Sequence, residues 1–172
     1  LHPMLEDSNI DISIGTALLD KFNKQYFYFS RREPCYISLD KVYLEMLQRK
    51  YWDYVFWGKL YNKELFVGYT FHLDYLISED LVDNWYIFFR AKKIYYQPCP
   101  LYHHVEKENG LSDTMSPFKR YDALRAINLI DNENKDYKLI NTIRWQLLET
   151  YCDTMRYLIL IEPESNRDII RK

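Results

Sequence analysis

Two adjacent carboxylates at the start of a helix are the residues in this chain best placed to do chemistry. Ser78-Glu79-Asp80 opens an apolar helical pattern, so Glu79 and Asp80 fall in its first turn, beside the free N–H groups and the positive end of the helix dipole. That setting favours the ionised form, the form a general base needs to accept a hydroxyl proton. Capping is the plain alternative. Upstream lies the aromatic-flanked run Trp57-Gly58-Lys59-Leu60-Tyr61, whose lysine suits a phosphate or a carboxylate. Downstream, Tyr102-His103-His104 ends a strand-like segment. Neighbouring residues in a strand face opposite ways, so only one of the two histidines can enter a cleft. His72 and Asp74, two apart, form a weaker metal-like pair.

The elements that must position these groups read as mixed α and β. Ile10 to Ile14 alternates as a strand, and the aromatic stretch 25–31 is β-prone. Ser38 or Asp40 caps a helix over 40–50 with Val42, Met46 and Leu47 on one side. Residues 53–67 read as a short strand or turn and one helical turn. The helix from Ser78 buries Leu81, Trp85 and Phe88. Lys93 to Tyr96 and Leu101 to His104 read as two strands around a Pro98–Pro100 turn, and 107–116 as a loop. Two helices follow, over about 118–131 and 136–161. The second carries a stripe of Ile140, Ile143, Leu147, Tyr151, Met155 and Leu158, suited to a core or a dimer seam. A short helix is read at Pro3 to Asp7.

Composition narrows the function classes. The chain has 172 residues, 48% hydrophobic and 17% aromatic, with 17 tyrosines, enough for one domain with a sizeable core. Tyrosine offers an apolar face and a hydroxyl, which suits flat polar ligands such as sugars. A net charge of −2 and a pI near 6.1 argue against a broad nucleic-acid surface. Four glycines form no phosphate loop. Cys35, Cys99 and Cys152 are scattered and odd in number, which fits a reducing, cytoplasmic setting. No apolar run is long enough to span a membrane. The chain does not start with Met, so a longer parent chain is expected.

Taken in order, these motifs resemble bacterial family 2 glycosyltransferases. Trp57 to Leu65 is similar to the family's W-x-K-L-Y-x-x-x-L segment, Glu79-Asp80 to its acidic motif, and Ala91 to Tyr102 to its A-K-K-I-x-Y-x-x-x-P-L-Y run. Gly110-Leu111-Ser112 matches a serine-containing loop, and Leu1 to Glu6 the helix that follows an Asp-x-Asp metal motif. Val105 stands where many relatives carry Arg, and His103 and His104 stand in place of tyrosines.

The resemblance implies an α/β fold. Residues 1–116 would form the acceptor-side part of a GT-A type domain, with short mixed strands and several helices, and 117–172 a C-terminal helical extension ending in a long helix. It implies inverting transfer from a nucleotide-sugar donor to a saccharide acceptor in surface polysaccharide or glycoconjugate synthesis. Asp80 would be the base and Glu79 its support, with Trp57, Lys59, Tyr61, Tyr102, His103 and His104 lining the cleft. A divalent metal, Mn or Mg, would sit on an Asp-x-Asp upstream of Leu1, since Asp11-Ile12-Ser13 does not qualify. This part alone is expected to be inactive. The location implied is cytoplasmic, with peripheral association at the inner membrane face, and the long helix offers a homodimer contact. The rival reading is a catalytically inactive assembly domain that lacks the donor-binding half.

Overall fold

A computed structural model describes residues 7–21, 24–105, 117–134 and 137–160. The expected helix at Pro3 to Asp7 falls almost wholly outside them, and the loop 107–116, with its Gly110-Leu111-Ser112 match, falls outside altogether.

The fold is α/β with a mixed sheet. Its centre is β1 (Ile12–Lys21), paired in parallel with β5 (Ile94–Val105). The other edge of β1 is shared. β4 (Lys59–Tyr61) pairs antiparallel with Ile12 to Ile14, and β2 (Lys24–Phe27) with Leu18 to Lys21. β3 (Cys35–Ile37) closes the far side of β5. The helices are α1 (Leu39–Gln48), α2 (Glu79–Arg90), α3 (Pro117–Glu133) and α4 (Tyr137–Leu160).

Apolar spacing accounts for the packing. Ile12, Ile14, Ile94 and Tyr96 from the sheet meet Val42, Met46 and Leu47 of α1 and Leu81, Trp85 and Phe88 of α2, all buried. Those are the helix faces the sequence periodicity predicts. Ala126, Ile127, Ile130, Leu139 and Ile143 of α3 and α4 join the same core. Under β5, Arg32 makes a bidentate ion pair with Glu45 at 2.5 and 2.7 Å, and Trp52 Nε1 donates to the same carboxylate at 3.3 Å. The guanidinium and the indole N–H satisfy both oxygens of this buried carboxylate, as burial of a charged pair requires.

Four expectations change. The two strands around Pro98–Pro100 are one strand, since β5 runs through both prolines. Its register against β1 shifts between Ile14 and Ala17, so the missing proline N–H groups fall at irregularities of the ladder. The strand over 25–31 ends at Phe27, and the chain then leaves the sheet as Ser30 N–H donates to Lys50 O. Neither Ser38 nor Ser78 caps with its side chain, although each occupies the N-cap position. Ser78 sits at φ 66°, in the left-handed region. Finally, the stripe on α4 is split. Ile143 and Leu147 face the core, whereas Tyr151 is 53% exposed.

Gly15 is required by close approach. A Cβ there would lie 2.6 Å from Leu101 Cδ1 and 3.0 Å from the Cys99 carbonyl oxygen. Gly15→Ala is therefore expected to cost about 1–3 kcal/mol through overpacking at the β1–β5 junction. A drop in denaturation midpoint with unchanged slope checks this; an unchanged midpoint would refute the contact.

Candidate functional site

The site is built around a turn at residues 53–58, which is held largely by side chains from outside it. Arg49 holds the buried Asp53 carboxylate at 2.6 Å. Lys59 folds back so that its Nζ donates to the carbonyls of Asp53 (2.6 Å) and Val55 (2.5 Å), over the Trp52 ring. Asn84 of α2 donates its amide to the Tyr54 carbonyl and accepts from Tyr61 Oη at 2.8 Å. The Gly58 carbonyl accepts from Gly15 N–H at 2.8 Å. The Phe56 N–H lies on the Asp80 side of the turn and acts to lower the pKa of that carboxyl.

Asp80 thus meets this turn from the first turn of α2. The sequence predicts that the helix start holds Asp80 as a plain ionised carboxylate. Here burial dominates: it pushes the pKa up to about 6, aided by the neighbouring Glu79 charge and opposed by the Phe56 N–H and Lys59. Lys59 moves the opposite way, down to about 7, because burial outweighs the pull of Asp53 and Asp80. It is neither a free surface lysine nor an open cleft residue, since its ammonium is taken up by backbone carbonyls. Burial thus brings the Asp80 carboxyl into the range where a general base is useful at neutral pH. Burial likewise raises Tyr61 well above the usual phenol range, with Asp80 adding to the effect, so Tyr61 acts as a hydrogen-bond donor.

Next to Phe56, Trp57 leaves the turn and stacks on Tyr102 of β5, with centroids 4.6 Å apart and planes at 17°. His104 (6.0 Å) and Tyr28 (6.0 Å) complete a half-exposed aromatic ledge, with Phe29 beneath. The two histidines do face opposite ways. His103 turns from the ledge and pairs Nδ1 with Asp20 at 3.0 Å. Of the expected cleft residues, the structure groups Trp57, Tyr102 and His104 in the ledge and Lys59, Tyr61 and Asp80 around the turn. It sets His103 apart.

The chain matches no protein-family model and no curated protein.

His72 and Asp74 are not brought together as a pair. Asp74 bonds to Arg125 of α3 at 2.8 Å. His72 Nδ1 bonds to Asp83 of α2 at 2.8 Å, and the same buried carboxylate accepts from the Tyr69 hydroxyl (2.6 Å) and the His72 N–H (3.1 Å). Sequence reading missed Asp83, because an acid at i+3 from Asp80 looks like one more exposed helix charge. Its function is to clasp the loop before α2. Asp83→Ala should cost about 2–3 kcal/mol by leaving these donors unpaired. Amide exchange should then quicken across residues 67–77 and not in α1; uniform protection would refute the clasp.

Among the described residues, no three His, Cys, Asp or Glu side chains converge where a metal ion could sit. The cation that acts on Asp80 among the described residues is the Lys59 ammonium. Among the described residues, no helix is long and apolar enough to cross a membrane.

Proposed function

We propose that this chain is the acceptor side of an inverting nucleotide-sugar glycosyltransferase of GT-A type. The observation that carries the reading is Asp80, a carboxyl held near 6 against the turn from which Trp57 leaves to stack on Tyr102. Asp80 takes the proton from an acceptor hydroxyl as that oxygen bonds to the anomeric carbon. The bond from that carbon to the donor diphosphate breaks, and the electron pair leaves with the nucleoside diphosphate. Glu79 keeps the Asp80 carboxyl basic by charge repulsion. Trp57 and Tyr102 offer flat faces on which an acceptor sugar ring stacks. The divalent metal implied by the resemblance has no seat among these side chains, and no step here uses one.

The test is acceptor-dependent release of nucleoside diphosphate by the full-length protein. It would be offered a panel of nucleotide sugars and saccharides with Mn or Mg, and the product anomer read by NMR. Release with inversion is expected, and no release from any donor would overturn the reading. The rival, an inactive assembly domain, draws on a different observation: the large apolar side chains that α4 leaves exposed.

A further inference from the structure

The outward face of α4 carries a pattern that the fold does not use. Trp145, Leu148, Cys152 and Met155 follow one another at spacings of three, four and three, the a/d spacing of a coiled-coil seam. Trp145 is 60% exposed and Leu148 52%, Cys152 is exposed and Met155 half-buried. The core-facing residues of the same helix, Leu139, Ile143 and Leu147, lie on the other side. A single helix with two apolar faces, one buried and one open, has no partner for the second among the described residues. Beside the open face, α3 and α4 frame a groove of about 500 Å³, lined by Tyr121, Leu124, Leu148 and Tyr151 together with the Arg125 and Arg144 side chains.

The charges that flank the open face identify what covers it. Glu149 and Arg156 are exposed, stand one heptad apart on the same flank, and carry opposite signs. When two copies of such a helix pair antiparallel about a two-fold axis, residues of one flank meet the same flank of the other copy. Glu149 then faces Arg156 twice, once on each side of the axis. Antiparallel pairing also opposes the dipoles of two 24-residue helices. Among the described residues, Glu149 accepts from Trp145 Nε1 at 2.9 Å through one oxygen, which leaves carboxylate capacity for a second cation. A surface that is apolar along its middle and self-complementary in charge along its edge fits a second copy of this chain.

We infer that the protein forms a two-fold homodimer through antiparallel α4 helices. Trp145, Leu148, Cys152 and Met155 form the seam, Glu149–Arg156 pairs set the register, and the α3–α4 groove accepts the partner's side chains. This extends the role of α4 beyond the sugar-transfer reading and stands independently of it. The test is sedimentation velocity of the full-length protein across a concentration series, with far-UV circular dichroism as the folding control. The wild type should sediment at twice its chain mass. Leu148→Glu should give a folded monomer, and Arg156→Glu should weaken association about tenfold or more. The double swap Glu149→Arg with Arg156→Glu should restore the dimer, which generic damage to the helix could not do. A wild type that stays monomeric at the highest concentration reached overturns the inference. So does a dimer indifferent to Leu148→Glu, or a double swap that fails to restore association; in either case the face belongs to another segment or another partner.

Discussion

On the proposed reading, Asp80→Asn should all but remove sugar transfer by the full-length protein, and it should raise thermal stability at neutral pH. The first effect follows from the lost base: an amide cannot take the hydroxyl proton, and general-base catalysis contributes about 10²–10⁴-fold. The second follows from the direction of the Asp80 shift. Its pKa rises from 3.8 to about 6 on folding, chiefly by burial. Between those values the native state binds more protons than the unfolded chain, so stability falls as pH rises through that window. Above about 6 the penalty is complete, and after allowance for solvent screening it amounts to about 1–2 kcal/mol. Removing the charge should therefore raise the melting temperature at pH 7.5 by about 2–6 °C and have little effect near pH 4. Calorimetry at the two pH values, beside a turnover assay, reads both. Unchanged turnover would sink Asp80 as the base. A lower melting temperature at pH 7.5 would show that the ionised carboxylate stabilises the fold.

Lys59→Met has the second largest expected effect, because it acts on the turn and on Asp80 together. Without the ammonium, the Asp53 and Val55 carbonyls lose their shared donor, and the turn that carries the Phe56 N–H and Trp57 loosens. Unsatisfied buried acceptors cost about 1–3 kcal/mol each. The Lys59 charge also lowers the Asp80 pKa, so its loss should move that pKa above about 6. The acid limb of the kcat/KM profile should then shift to higher pH. Titration of the Asp80 carboxyl by NMR separates the two effects. A pKa that stays near 6 in Lys59→Met would mean that the turn alone sets the environment of Asp80. Lys59→Arg would keep the charge but does not fit a compact two-carbonyl pocket, so rescue by arginine is not expected.

Much of the local structure could be read from residue order. Val42, Met46 and Leu47 on α1, and Leu81, Trp85 and Phe88 on α2, bury as their spacing requires, because a helical period of 3.6 is a property of the chain itself. The placing of Glu79 and Asp80 in the first turn of α2 was equally legible, as was the divergence of His103 from His104, which follows from strand geometry. Other outcomes depended on residues far apart in sequence. β5 stayed one strand through two prolines because β1 supplied a ladder whose irregularities fall where those N–H groups are missing. Asp83 became a loop clasp because Tyr69 and His72 came to it. The face of α4 that packs inward was chosen by α1 and α3, not by its own pattern, which offers two apolar stripes.

The electrostatics of the site divide along the same line. Residue order specifies which ionisable groups are present and which secondary elements carry them. That Asp80 is pushed up and Lys59 down follows from packing between distant segments. Helix position favours an ionised Asp80, but that is a local effect of one turn of backbone dipoles. Desolvation is set by everything packed around the group, and here the turn at 53–58, the Trp52 ring and α2 together exclude enough water to outweigh the dipole.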